Sequence, residues 1–424
     1  MTVAPPRPSW LRRYALDIGP LLRHPAYRRL FIGNSVSFFG YQFTAVAVPV
    51  QVYALTHSGL WVGMVGFVGL VPLVVFSLWG GAIADALDRR KVLLLSSLVT
   101  WSTTLMLLAQ ALLHLGSPAL ILAMVALQAG AFGVTNPTRS AITPRLMPAS
   151  EVASANTLNF TAGNVSTVAG PIIAGLVIGA FPHNVDHAVT VAYTVDAVAF
   201  TVALWASLRL PPLPPDRAGT RSGARWADVR EGLSYLRRSP VILLTFAIDI
   251  GAMALALPRA LFPAVADDRF GAGSIGWLYS AIAIGSVVAG LTSGWIGRIR
   301  HQGRALILAV VGWGLAVAAS GLSPWLWGTV ALLAVAGAAD MVSAVYRQTM
   351  LLTYAPDEMR GRLQGVFFAV VAGGPRLGDL RAGAMAEWTG TTVSWVVGGL
   401  AASAVAILLA IAYPVFRRYT ARVE

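Results

Sequence analysis

Long apolar runs alternate with short polar loops along most of the chain, and this alternation predicts helices that cross a membrane. A helix needs about 20 apolar residues to cross ~30 Å of hydrocarbon. Twelve runs of this length lie around 30–53, 60–84, 91–114, 118–138, 155–180, 188–209, 240–265, 273–297, 304–322, 325–347, 363–386 and 391–414. The pattern therefore predicts an all-α polytopic membrane protein with twelve transmembrane helices.

One long polar interruption divides the twelve runs into two groups of six. It begins PPLPPDRAGTRSGARW at residue 211, and its Pro, Gly and Arg content is typical of a linker. We therefore predict two six-helix bundles joined by a cytoplasmic linker. The predicted boundaries are a cytoplasmic tail at 1–27, an N-terminal bundle at 28–209, the linker at 210–239, a C-terminal bundle at 240–414 and a cytoplasmic tail at 415–424.

The two halves also resemble each other in sequence. Arg139 lies nine residues before Pro148 after the fourth run, and Arg347 lies nine residues before Pro356 after the tenth run. The pieces LLRHP and YLRRSP precede the first and seventh runs in the same way. Internal repeats of this kind are typical of transporter folds.

Composition supports the membrane interpretation and narrows the function. The chain is 56% hydrophobic and only 12% charged, with a mean hydropathy of +0.69, which does not describe a soluble protein. Its net charge of +13 lies in loops and termini rather than on one basic face, so we expect no nucleic acid partner. We find no nucleotide-binding glycine loop, zinc motif or nucleophile elbow, and we expect no enzymatic activity, no metal and no cofactor.

The positions of the cations predict the orientation in the membrane. Arginine and lysine fall in the tails and in every second loop, whereas the opposite loops THSG, FPHNVDH and GLSPW contain neither. Short cytoplasmic loops are enriched in these residues. We therefore predict a multi-pass protein of the inner (plasma) membrane with both termini in the cytoplasm.

The loop between the second and third runs contains the densest charge in the chain. It belongs to the stretch GGAIADALDRRK at 80–91. An Asp or Arg at the centre of a span costs roughly 2.5 to 3.5 kcal/mol. The charged part of this stretch therefore lies at the membrane surface.

Together with twelve spans, this stretch resembles the signature of the major facilitator superfamily. The resemblance implies two bundles that rock around a central site, and it implies that the stretch is a conformational gate formed by Gly81, Asp85, Asp88, Arg89 and Arg90, followed by Lys91. In that family the loop charges reach the eleventh span and stabilise the outward-facing state, a role that the resemblance gives to Asp85 and Arg89. The alternative is that these charges only determine topology.

A narrower resemblance covers most of the chain. The pieces VAVPVQVYALTHS, GGAIADALDRRKVLL, RALFPAVAD and QTMLLTYAPDEMRGRLQGV are similar to the siderophore-export branch of the drug:proton antiporters. The resemblance implies export of a siderophore or a similar small amphipathic molecule, with the proton gradient as energy source. AGPIIAG at 169–175 resembles a shortened antiporter motif, although helix packing alone explains it equally well. We expect a lipid bilayer and a small-molecule cargo as partners, and a functional monomer.

Ionisable residues within the spans are candidates for transport chemistry because each needs a partner or a water-filled cavity. Asp379, Asp340 and Asp249 are the proton-coupling candidates. Asp379 could instead be neutralised by Arg376, three residues earlier on the same helix. Gly373, Gly374 and Pro375 predict a break in the eleventh span.

Cations and amides in the spans are candidates for binding the cargo. An anionic cargo would be attracted by Arg259 and Arg381, and neutral hydrogen bonds could come from Asn34, Gln42 and Gln128, although an interhelical bond is the simpler role for each amide. The sequence leaves three alternatives open. They are a macrolide or multidrug efflux pump of the same fold, a membrane enzyme, and a receptor or scaffold that transports nothing.

Overall fold

Helices form nearly all of the described structure. The computed structural model describes residues 16–215, 234–235, 239–354 and 357–417. Spans one to six are Pro25–Thr56, Gly59–Val68 with Leu70–Ala86, Arg89–Leu112, Pro118–Ile142, Ala149–Gly179 and Val185–Leu208. Spans seven to twelve are Pro240–Ala256, Ile275–Leu291, Gln302–Leu322, Leu326–Tyr354, Asp357–Thr389 and Thr391–Ala412.

Short polar side chains begin several of these helices. Ser58, Asp88, Ser117 and Asn184 each accept a hydrogen bond from a backbone N–H in the first turn that follows. Such caps satisfy N–H groups that have no partner within the helix. Loops as short as two residues can therefore reverse the chain at the membrane surface.

The twelve-helix architecture predicted from the apolar runs is confirmed. Eleven helical segments in the described ranges are long and apolar enough to cross a membrane. Span eleven is the twelfth helix, and it is less apolar because it carries Arg376, Asp379 and Arg381. It packs against span two and span seven in the interior of the protein, which explains why charged residues are tolerated there.

The prediction that span eleven breaks at residues 373–375 is wrong. The helix is continuous from Asp357 to Thr389, with Pro375 inside it. Its glycines allow close packing instead. A Cβ at Gly374 would lie 2.9 Å from Cβ of Met253 in span seven, and a Cβ at Gly378 would clash with the carbonyl oxygen of Met253.

The predicted boundaries of the linker and of the two tails stay predictions. Residues 1–15, 216–233, 236–238 and 418–424 lie outside the described ranges. Two short helices flank the bundles, Gly19–Arg23 before span one and Pro414–Arg417 after span twelve.

The two bundles touch near one face of the protein. We call the face at which span one begins and span twelve ends the terminal face, and the other the opposite face. The main contacts between the bundles join span two to span eleven and span five to span eight. Both contacts include residues at the ends of these spans on the opposite face, so the bundles are closed there.

Glycines permit this close approach. Where span five meets span eight, a Cβ at Gly175 would meet the backbone of Gly276. A Cβ at Gly179 would lie 2.6 Å from Cα of Gly273, in the turn just before span eight. In spans two and eleven, a Cβ at Gly63 would lie 2.5 Å from the backbone oxygen of Asp379. Small residues of this kind allow helix backbones to pack against each other within a membrane.

A polar contact reinforces the closed face. Glu387, near the end of span eleven, accepts a hydrogen bond from Ser58 Oγ at 2.5 Å and another from the backbone N–H of Leu60 at 3.2 Å. The carboxylate therefore lies at the positive N-terminal end of the helix Gly59–Val68. This contact joins the C-terminal bundle to the N-terminal bundle.

Candidate functional site

A cavity of about 430 Å³ lies between the two bundles. Spans one to six line it on one side. On the other side it is lined by Arg259 from the turn after span seven, Tyr279 from span eight, and Arg376 and Asp379 from span eleven. Within the N-terminal bundle, the cavity extends to Arg139. This residue lies three residues before the end of span four, which is at the terminal face. The cavity is therefore shared by both bundles and is separated from the opposite face by the contacts described above.

The charges that line the cavity are mainly positive. Arg139, Arg259 and Arg376 line it, and Asp379 is the one acid among the lining residues. These four side chains carry a formal charge of +2, three cations less one anion. In a site with little water, such an excess attracts anions more strongly than it would in bulk solvent.

Local backbone features position the cations from the C-terminal bundle. Span seven stops at Ala256, and Arg259 begins a short 3₁₀ turn after Pro258, which exposes its side chain to the cavity. Tyr279 of span eight donates a hydrogen bond to the carbonyl oxygen of Arg259 at 3.4 Å. Arg376 donates to the carbonyl oxygen of Ala372, one turn earlier in span eleven, at 2.8 Å.

Asp379 lies at the junction of the two bundles. A Cβ at Gly66 of span two would lie 3.3 Å from Asp379 Oδ2, whereas Oδ1 has no hydrogen-bond partner within the described structure. Arg259 and Arg376 are the cations whose charges act on this carboxyl group. No ion pair joins Asp379 to Arg376 in the described structure, and the guanidinium of Arg376 donates to the carbonyl oxygen of Ala372. Asp379 therefore faces the cavity, as a proton-coupling residue should, and that role stays a prediction.

The other candidates for cargo binding separate into two groups. Gln42 and Gln128 line the cavity and also bond to neighbouring threonines. Asn34 and Arg381 are not among the lining residues. Arg381 points toward span twelve, where it donates to the carbonyl oxygen of Ser394 at 3.0 Å, so direct contact with a cargo in this cavity would require it to move.

The other two proton-coupling candidates share one arginine. Arg347 of span ten forms an ion pair with Asp249 of span seven. It forms a second ion pair, at 3.5 Å, with Asp340, which lies seven residues earlier in span ten. The side chains of Arg347 and Asp249 are 5% and 3% exposed, whereas Asp340 is 29% exposed. Two carboxylates around one guanidinium leave a net charge of −1, which one proton would neutralise. The cluster has the composition of a proton site, and this assignment stays a prediction.

The gate stretch contacts the beginning of the linker. Asp88 accepts a hydrogen bond from the backbone N–H of Leu213 at 3.2 Å, and the backbone N–H of Arg89 donates to the carbonyl oxygen of Leu213 at 3.0 Å. Arg90 donates to the carbonyl oxygen of Leu208 at 2.7 Å. The loop between spans two and three is thus bound to the chain that follows span six.

The contact with span eleven that the family resemblance predicts for Asp85 and Arg89 stays a prediction. The side chain of Asp85 lies outside the described structure, although the backbone of Gly81 and Asp85 belongs to the helix Leu70–Ala86. The outward-facing state, in which the family resemblance places the contact, would need the bundles to close at the terminal face. The structure has them closed at the opposite face, so the gate role of Gly81, Asp85, Asp88, Arg89 and Arg90 stays a prediction.

Sequence reasoning missed Arg139 and Asp196 as candidate site residues. It ended span four at residue 138, but the helix continues to Ile142 and places Arg139 on the cavity wall. Its position in the internal repeat, equivalent to Arg347, could have indicated a role within the spans. Asp196 lies within the sixth apolar run, but nothing in its local sequence shows the two threonines that contact it from other spans.

Comparison with known proteins gives the family. The model of the transmembrane secretion effector family matches residues 17–421. The enterobactin exporters EntS of Shigella boydii serotype 18 (strain CDC 3083-94 / BS512) and of Escherichia coli O139:H28 (strain E24377A / ETEC) are each 30% identical to the chain. Each alignment covers 97% of this chain and 96% of the relative.

Solved structures show the same fold. The nucleoside transporter NupG has a TM-score of 0.72 at 17% sequence identity, over 93% of this chain and 99% of that one. A bacterial homologue of the iron transporter ferroportin in an inward-facing state has a TM-score of 0.69 at 13% identity, over 93% and 98% of the two chains. Because the family model and the curated relatives span nearly the whole sequence, the chain belongs to the transmembrane secretion effector family of major facilitator transporters and is a multi-pass inner-membrane transporter of a small molecule.

Proposed function

We propose that this transporter exports a siderophore, an anionic catecholate chelator of the enterobactin kind, by proton antiport and alternating access. The cargo class comes from the curated relatives, which are enterobactin exporters. The observation that carries the proposal to this chain is the excess of arginine in the cavity. Arg139, Arg259 and Arg376 face it with Asp379 as their one acidic neighbour among the lining residues.

The chemistry of the lining suits a catecholate. Guanidinium groups bind anionic oxygens through charge-assisted hydrogen bonds. Tyr41 and Tyr279 line the same cavity as Arg259 and Arg376, and aromatic rings pack against flat aromatic cargo. One cavity thus combines groups that recognise negative charge with groups that recognise a ring.

The orientation and the energy source complete the proposal. With both termini in the cytoplasm, the closed face lies away from the cytoplasm, and a newly made siderophore would enter the cavity from the terminal face. Protons returning down their gradient would bind Asp379, or the cluster of Asp249, Asp340 and Arg347, and drive the exchange without any cofactor. We propose a functional monomer, because the two bundles of a single chain both contribute to the wall of the cavity.

A macrolide or multidrug efflux pump of the same fold is the second candidate. The cavity contains five aromatic side chains as well as the arginines, and they are Phe38, Tyr41, Phe132, Phe200 and Tyr279. Such a lining accepts amphipathic drugs that carry no negative charge. The two candidates differ in whether the arginines are needed.

Transport into inverted proteoliposomes tests the proposal. With an acidic lumen, the wild-type protein should accumulate enterobactin, and Arg259→Gln should raise the enterobactin concentration needed for half-maximal flux about tenfold, equivalent to about 1.4 kcal/mol. Arg300→Gln, which removes an exposed cation from the loop after span eight, is the matched control and should transport normally. Accumulation of a macrolide but not of enterobactin, unchanged by Arg259→Gln, would instead support the second candidate.

A further inference from the structure

Asp196 is a fully buried acid in the N-terminal bundle. It lies at the middle of span six, and its exposure is 0%. Oδ2 accepts hydrogen bonds from Thr44 Oγ1 of span one at 2.6 Å and from Thr104 Oγ1 of span three at 3.3 Å. Oδ1 has no hydrogen-bond partner within the described structure, and it lies 3.1 Å from where a Cβ at Gly40 would be.

No described ion pair compensates the charge of this acid. The charge of Asp196 acts on two titratable groups, Tyr41 of span one and Tyr193 of its own span. Spans one, three and five pack against span six. The Asp, Glu, Lys and Arg residues of these three spans lie at their ends on the terminal face, namely Arg28, Arg29, Arg89, Arg90, Lys91 and Glu151.

The two threonines suit both charge states of the carboxyl group. A hydroxyl can donate a hydrogen bond to a carboxylate or accept one from a carboxylic acid. An ionised carboxylate that is buried without a cation is unfavourable by several kcal/mol, and binding a proton removes that charge. Asp249 differs in this respect, since its ion pair with Arg347 favours the ionised form.

A short polar route joins Asp196 to the cavity. Thr44 and Gln128 both line the cavity. Gln128 Nε2 donates to Thr104 Oγ1 at 3.2 Å, and that hydroxyl is 3.3 Å from Asp196 Oδ2. A single hydroxyl group therefore separates the buried carboxyl group from the cavity on the Thr44 side.

We propose that Asp196 is a proton-binding site of the N-terminal bundle, exchanging its proton with the cavity through Thr44 and through the Gln128–Thr104 pair. The proton binds a carboxylate oxygen and leaves from it, and no other bond forms or breaks. The site deepens the proposed function, because it rests on proton antiport as the driving reaction. It also places a proton site in the bundle opposite to Asp379 and to the Asp249–Arg347–Asp340 cluster.

Infrared spectroscopy of the purified protein tests the site without any cargo. In a pH titration, the C=O band of a protonated carboxyl group should be present in the wild type and be reduced in Asp196→Asn. Asp186→Asn removes an exposed acid at the start of the same span and should leave that band unchanged. A band of the same size in Asp196→Asn and in the wild type would overturn the proposal.

A second variant keeps the acid and changes its partner. Thr44→Val preserves the shape of the side chain and removes a hydrogen bond to the ionised carboxylate, so the pH at which the band is half lost should rise by about one to two units. This variant also carries the test if Asp196→Asn does not fold. No rise in Thr44→Val would contradict the route through Thr44.

The remaining outcomes separate this site from the proposed function. Loss of the band when sodium is added at constant pH would show that Asp196 binds sodium, and it would overturn the proton site. A band that behaves as expected in a protein that transports no enterobactin would retain the proton site and reject the proposed cargo. Enterobactin transport with no band assignable to Asp196 would retain the proposed cargo and reject the proton site.

Discussion

Replacing Gly175 with alanine should weaken the closed state seen in this structure. Gly175 of span five faces span eight across the contact between the bundles, and a Cβ there would meet both N and Cα of Gly276. These are backbone atoms, so the added methyl group cannot be accommodated by turning a side chain. The two helices would have to move apart at the opposite face.

The size of the effect follows from the cost of overpacking. An extra methyl group in a well-packed contact costs typically about 1 to 3 kcal/mol. This cost applies only while the bundles touch, so the ratio of closed to open molecules should fall by about 5- to 150-fold. Alanine also favours the helix over glycine by up to about 1 kcal/mol, but this gain is the same in both conformations and leaves the ratio unchanged.

Disulfide formation between spans two and eleven, the other main contact between the bundles, measures the change in the ratio of closed to open molecules. The chain contains no cysteine, so an introduced pair reports without background. A Cβ at Gly59 would lie 3.7 Å from Cβ of Ala386, within the range of disulfides. The variant with Gly59→Cys and Ala386→Cys should therefore cross-link readily, and adding Gly175→Ala should slow its cross-linking.

The control lies on the same helix. A Cβ at Gly163 would meet nothing within 4 Å, so Gly163→Ala should leave the cross-linking rate as it is. Equal rates in Gly175→Ala, Gly163→Ala and the parent pair would refute the argument that direct backbone contact between spans five and eight holds this face closed.

Three further substitutions test the charged residues. Asp379→Asn should abolish enterobactin flux driven by a pH gradient in proteoliposomes while the protein stays folded, and unchanged proton-coupled flux would remove Asp379 from the mechanism. Asp85→Asn should slow turnover more than it weakens equilibrium binding of cargo, and a primary loss of affinity would contradict a gate. Arg347→Gln leaves Asp249 buried without its cation and should destabilise the protein by about 3 to 5 kcal/mol, seen as a lower thermal unfolding temperature in detergent. The double variant Arg347→Gln with Asp249→Asn should recover part of that loss, and no recovery would argue against the pair as its source.

The internal repeat shows where sequence reasoning reaches its limit. Arg139 and Arg347 occupy equivalent positions in the two halves. Arg347 is bound to Asp249 and Asp340, whereas Arg139 lines the cavity. The same residue type at the same repeat position therefore has different surroundings. The acids that pair with Arg347 lie on spans seven and ten, and the sequence near Arg347 does not show that they will meet it.

The sequence alone determined the twelve spans, their division into two bundles and the position of the charged loop after span two. These properties follow from the free energy of placing each residue in hydrocarbon or in water, which depends on residue type and on its neighbours in the chain. The family resemblance rests on the same local information. For this reason Asp249, Asp340 and Asp379 could be named as candidates before any contact was known.

The tertiary structure decided which of these charges meet. Asp249 and Arg347 are 98 residues apart in sequence, and Thr44 and Asp196 are 152 apart. Their contacts depend on how far each helix is rotated about its axis and on which helices pack together. In a span that is apolar on most sides, hydropathy does not specify that rotation, since lipid and protein interior are equally apolar. The closed face, the cationic cavity and the partners of Asp196 were therefore visible only once the helices were packed.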